Sequence, residues 1–93
     1  GRAEVMLGPS PNPFRSSLRI DLTLPAPASS ARVALHDVGG RRIATLHDGA
    51  LSAGVTRLEW NAAGGGADMA PGVDLLAAEI DGRRLQRRVV KLP

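Results

Sequence analysis

Proline and glycine return so often along this chain that its helix signals are weak. Seven prolines and eleven glycines fall within 93 residues. Turn residues at intervals of roughly ten are the signature of sandwiches and barrels. Between them, apolar and polar residues alternate with period two. That pattern buries one face of a strand and leaves the other wet.

The clearest run is Leu18, Ile20, Leu22 and Leu24, alternating with Arg19, Asp21 and Thr23 and ended by Pro25-Ala26-Pro27. Val33 and Leu35 alternate with Arg32, Ala34 and His36. Gly39-Gly40 then supplies a turn, because glycine reaches positive φ without penalty. A strand of roughly Arg42 to Leu46 returns antiparallel and is closed by Asp48-Gly49. Thr56, Leu58 and Trp60 alternate with Val55, Arg57 and Glu59. A loop from Asn61 to Gly72 contains Gly64-Gly65-Gly66. Val73 to Ile80 is the most apolar run and reads as a central strand, buried on both faces for much of its length. Asp81-Gly82 is a two-residue hairpin signal, and the last strand covers about Arg84 to Leu92. Val5 to Leu7 reads as a short edge strand before Pro9, Pro11 and Pro13. Seven strands joined by hairpins predict an all-β fold, a seven-stranded antiparallel immunoglobulin-like β-sandwich. The length predicts one domain over residues 1–93, with 1–8 as an N-terminal edge segment and 9–93 as the sandwich.

Composition removes several kinds of chemistry. Phe14 and Trp60 are the only aromatics, so the core has to be built from Leu, Val, Ile and Ala. Without cysteine there is no disulfide, no thiol nucleophile and no thiolate ligand. The net charge of +3 comes from eleven arginines and one lysine, beside fourteen alanines. Those arginines are not interleaved with aromatics, as a single-strand groove requires, and no nucleic-acid partner is expected. No apolar run approaches the roughly eighteen residues of a membrane span. Gly1-Arg2-Ala3-Glu4 does not resemble a signal peptide, so an exported protein with this sequence would be a mature or excised piece.

The chain offers little for catalysis. His36 and His47 are the only histidines, and zinc wants three or four nitrogen or sulfur ligands. Asp37, Asp48, Asp68, Asp74 and Asp81 are scattered, whereas calcium gathers several carboxylates. Asp37 reads instead as an acceptor for backbone N–H groups in its own turn. The serines fall in turn-like stretches and none sits in a Gly-x-Ser-x-Gly elbow. Gly64-Gly65-Gly66 lacks the Gly-Lys-Ser/Thr of a phosphate loop. Trp60, in phase with Leu58, reads as core rather than as a sugar platform. We therefore expect no enzyme, no cofactor and no metal. Two constellations remain. Pro11-Asn12-Pro13-Phe14 is a rigid extended corner with Phe14 dropping into the core. The pairs Arg83-Arg84 and Arg87-Arg88 are the densest charge. They keep an edge strand soluble, pair with Glu79 and Asp81 across the hairpin, or face a partner.

The order of these segments is similar to a known family. Pro11-Asn12-Pro13-Phe14 is followed by a strand ending Leu24-Pro25, then Val33-Ala34-Leu35-His36-Asp37-Val38-Gly39-Gly40-Arg41 and Ile43-Ala44-Thr45-Leu46. Leu51-Ser52-Ala53-Gly54, Leu58-Glu59-Trp60-Asn61, Ala70-Pro71-Gly72-Val73 and Arg88-Val89-Val90-Lys91-Leu92 complete it. Over about Leu7 to Leu92 this resembles the C-terminal Ig-like domain of the type IX secretion sorting family and the related Ig-like domain of flagellar hook-capping proteins. The resemblance implies a non-catalytic domain of an exported bacterial protein, extracellular or at the cell surface, read by secretion machinery as a sorting and attachment signal. Pro11, Asn12, Pro13, Arg87, Arg88, Val89, Val90, Lys91 and Leu92 are then the expected partner-binding residues. Where the family commonly places an aromatic after the Gly-Val pair, this chain has Asp74. The alternative expectation is a self-assembling filament subunit, a homo-oligomer whose terminal edge strands add to neighbouring subunits, with Arg2 to Leu7 as the donor.

Overall fold

The computed structural model describes residues 5–61 and 70–93. Seven strands form: β1 (Met6–Ser10), β2 (Ser17–Leu24), β3 (Ala28–Asp37), β4 (Arg42–Leu51), β5 (Gly54–Asn61), β6 (Gly72–Ile80) and β7 (Arg83–Lys91). They build a three-stranded sheet, β1-β2-β5, and a four-stranded sheet, β4-β3-β6-β7, with every neighbouring pair antiparallel. The immunoglobulin-like sandwich expected from the alternation is present. Arg2 to Glu4 of the expected donor segment, Gly64-Gly65-Gly66 and Asp68 lie outside the described residues.

Each sheet contributes one apolar face to the core. Leu18, Ile20, Leu22 and Leu24 of β2 are all buried, and opposite them lie Val33 and Leu35 of β3, Leu76 and Ala78 of β6 and Val89 of β7. Phe14 and Trp60 are buried as the two large anchors of an otherwise aliphatic core. β6 lies between β3 and β7, and its run from Leu75 to Ala78 is buried or half-buried on both faces.

The β6–β7 hairpin has Ile80 opposite Arg83, with Asp81 at φ +48° and Gly82 at φ +86°. Two central residues at positive φ match the right-handed twist of the flanking strands. Glu79 pairs with Arg84 across the hairpin at 3.2 Å, as its position suggested. Among the described residues Asp81 does not pair with an arginine. Its carboxylate accepts from the Ser30 N–H at 2.9 Å and the Ser29 hydroxyl at 3.3 Å, and its own N–H donates to the Ser30 carbonyl at 2.8 Å. The hairpin tip is thus tied to the start of β3.

Two strands run further than the sequence pattern predicts. β1 continues through Pro9 to Ser10, which an edge strand permits because one side of it needs no ladder donor. β4 does not stop at Asp48-Gly49 but continues to Leu51. It pairs with β3 through three register shifts, and opposite an uninterrupted stretch of β3 it carries Ile43 and Leu46 as extra residues. Bulges turn side chains to the other face and so break the period-two signal. Ile43, Ala44, Leu46 and Leu51 all pack partly against the core despite their irregular spacing.

Candidate interaction site at the proline corner and the last strand

The two segments expected to face a partner lie side by side. After Ser17 the chain is committed to β2, so residues 11–16 must cross from the end of β1 to the start of β2. Pro11 and Pro13, both preceded by cis peptide bonds, shape that crossing, and it runs along the outer edge of β7. Phe14 forms a parallel bridge with Lys91. The Phe14 N–H donates to the Val90 carbonyl at 2.9 Å, and the Leu92 N–H donates to the Phe14 carbonyl at 2.7 Å. Asn12 extends this ladder with its side chain. Its Nδ2 donates to the Arg88 carbonyl at 2.9 Å, and its Oδ1 accepts from the Val90 N–H at 3.0 Å. A side-chain amide carries the same donor and acceptor as a peptide group, so Asn12 substitutes for one more strand residue.

This arrangement assigns a place to every expected partner-binding residue. Pro11, Asn12, Pro13, Arg87 and Arg88 are exposed. Val90, Lys91 and Leu92 are half-buried, and the outward backbone groups of Val90 and Leu92 are used by the corner. Val89 is fully buried, so its side chain belongs to the core and not to a contact surface. The Arg87 guanidinium donates to the Gln86 carbonyl at 2.9 Å, and Lys91 Nζ to the Leu92 carbonyl at 2.8 Å. Arg15 Nη1 donates to the Pro93 carbonyl at 3.2 Å. The corner and the last strand therefore form one folded edge with exposed arginines.

A second cluster went unread in the sequence. Asp37 and Asp74 are direct cross-strand partners on β3 and β6. Asp37 accepts from the Arg41 N–H at 2.9 Å, as expected of a turn aspartate, and lies 3.6 Å from the Arg41 guanidinium. Asp74 is buried, and among the described residues its Oδ2 has no hydrogen-bond partner. Burial, and then the neighbouring Asp37 charge, push the Asp74 carboxyl above the usual aspartate range. The only signal available in sequence was an aspartate at an apolar position of the most apolar strand.

The remaining polar groups are dispersed. His36 sits on β3 and His47 on β4, where His47 Nε2 lies 3.2 Å from the Gly49 carbonyl oxygen. Asp48 pairs with Arg32 at 3.7 Å and Asp21 with Arg57 at 3.0 Å. Among the described residues no three His, Cys, Asp or Glu side chains gather to hold a metal ion. A cleft of about 580 Å³ opens between the β2–β3 connection and the β6–β7 hairpin. Leu24, Pro25, Ile80, Leu85, Arg83 and Arg87 are among the residues that line it. No helix is long and apolar enough to cross a membrane among the described residues.

Comparison with known proteins places the chain in a family. A family model described as the FlgD Ig-like domain matches residues 14–79, from the buried Phe14 to the Glu79 that precedes the last hairpin. No curated protein matches the chain.

Proposed function

The chain belongs to the FlgD Ig-like domain family, the Ig-like domain of flagellar hook-capping-type proteins, and on that premise we propose a structural, non-catalytic role in an exported bacterial protein. In this reading the domain is extracellular or held at the cell surface, and the folded edge made by the proline corner and β7 is its sorting and attachment signal. Secretion machinery is the partner. The observation that carries the reading is the joining of Asn12 to Arg88 and Val90, which sets two distant segments into one exposed surface. A receptor would meet a shaped edge with Pro11, Pro13, Arg87 and Arg88 on it, one of the ways in which sheets are recognised. The family supports the reading because its Ig-like domain is structural and non-enzymatic.

The test must leave the sandwich intact. Arg87→Glu/Arg88→Glu changes only exposed side chains, and surface changes of this kind shift stability by about 0.5 kcal/mol or less. Fused behind an exported reporter, the double variant is expected to leave a folded reporter retained inside the cell. Export and surface attachment equal to those of the parent would overturn the sorting role.

A further inference from the structure

The proline corner covers the β7 edge only from the Arg88 carbonyl onward. Alternate residues of an edge strand turn their backbone N–H and C=O groups outward. The bonds made by the corner fix these residues as Arg88, Val90 and Leu92. Counting back by two, Gln86 and Arg84 come next, ahead of the corner. Among the described residues, the outward groups of Arg84 and Gln86 and the Arg88 N–H take one bond, from the Arg87 guanidinium to the Gln86 carbonyl at 2.9 Å. The stretch is flanked by the Asp81-Gly82 turn and by the corner, and both are described. A row of outward backbone groups is a template for an added strand.

The side chains here select the partner. Arg83 and Arg87 stand on the face of Leu85 and Val89, and Arg84 and Arg88 on the opposite face. All four arginines are exposed. Arg84 is paired with Glu79, whereas Arg83, Arg87 and Arg88 have no carboxylate partner among the described residues. A second copy of β7 is repelled. Antiparallel pairing centred on Gln86 sets Arg84 against Arg88, and pairing centred on Leu85 sets Arg83 against Arg87. A strand with carboxylates on both faces meets arginines on both faces instead. Charges that deter a like edge thus admit an acidic one. We propose that Arg84 to Arg88 is a docking edge for an extended acidic segment of another protein, which joins the four-stranded sheet beside β7. The proposal rests on the reading of this edge as a recognition surface and names the chemistry of its partner.

A nitrogen-15 NMR titration of the full chain with the blocked peptide Glu-Glu-Val-Thr-Val-Glu-Glu tests this. The amide signals of Arg84, Gln86 and Arg88 are expected to move and their hydrogen exchange to slow. Binding should weaken as salt screens the arginines. The same peptide with lysine for glutamate should not bind. Methylating the backbone N–H groups of the acidic peptide should abolish binding, since it removes the added ladder and keeps the charge. Arg83→Glu/Arg88→Glu should weaken the acidic peptide about tenfold, with circular dichroism showing that the variant folds. Should it not fold, the two altered peptides decide without it. Equal binding of the lysine peptide, undiminished binding of the methylated peptide, or an acidic peptide that moves none of the three amides would each overturn the proposal. No cell is involved. An acidic peptide that fails to bind therefore leaves the export test of Arg87 and Arg88 standing, and one that binds while export is unaffected leaves the docking edge standing.

Discussion

Asp74 is the residue whose chemistry conflicts most with its place. It occupies an inward position of β6, in phase with Leu76, Ala78 and Ile80, and faces Asp37 across the ladder. Burial and the neighbouring charge make its ionised form unfavourable, and Arg41 is engaged by Asp37. The folded chain therefore holds the Asp74 proton more tightly than the unfolded chain does. The stability linked to this group is complete below the ordinary value of 3.8 and is lost as pH rises through the raised folded value. Asp74→Asn keeps the shape, removes the charge and offers an amide donor to Asp37. The variant is expected to melt a few degrees above the parent at neutral pH, and the two curves should converge in acid. A pH series of thermal melts on both proteins reads this directly, and equal melting temperatures at neutral pH would contradict it. The sequence marked the position, an aspartate where the related family commonly places an aromatic. It did not reveal the second carboxylate, because Asp37 is brought there by strand pairing across 37 positions of chain.

At the scale of elements, the proline corner acts as part of a strand without being one. Its backbone bridge at Phe14 and the side-chain bridge at Asn12 satisfy four backbone groups at the end of β7 and just past it: the carbonyls of Arg88 and Val90 and the N–H groups of Val90 and Leu92. Asn12→Ala removes both side-chain bonds at an exposed site. It is expected to cost about 1–2 kcal/mol, two ordinary hydrogen bonds, read from urea denaturation at constant m-value. Asn12→Asp keeps the acceptor for the Val90 N–H but sets a carboxylate oxygen against the Arg88 carbonyl, so it should also be less stable than the parent. An alanine variant as stable as the parent would show that the side chain adds nothing to the edge. The strands themselves were well marked in sequence, since β2, β5, β6 and the Asp81-Gly82 hairpin follow local rules of alternation and turn chemistry. β4 was not. Two inserted residues, Ile43 and Leu46, return its apolar side chains to the core out of phase, and the Asp48-Gly49 turn signal that closed the strand in the sequence lies inside it.

For the whole molecule, the last strand is at once the candidate recognition edge and part of the core. Val89 is fully buried in the core, and Phe14 depends on Val90 and Leu92 for its backbone partners. Removing residues 89–93 therefore takes away a core side chain, both backbone bonds of Phe14 and the partner of Asn12 at Val90. Losing a buried valine and exposing the Phe14 pocket costs several kcal/mol, a large part of the roughly 5–15 kcal/mol that keeps a domain folded. The truncated chain is expected to lose cooperative thermal unfolding, measured by circular dichroism. Retention of a sharp transition would mean that β7 is dispensable to the sandwich. Such a truncation cannot separate sorting from folding, and the paired arginine substitution can.

Alternation and turn chemistry are local, so the sequence by itself determined the seven strands, the faces buried by the regular ones, the two aromatic anchors and the sandwich they make. Sheet order, bulges and edges depend on which distant segment covers which, and only the tertiary structure decided those. It placed Asn12 on β7 and set Asp74 against Asp37. The physical reason is range. A strand's pattern is set by neighbours two residues away, whereas its partners are chosen by the burial of faces that meet only when the two sheets close.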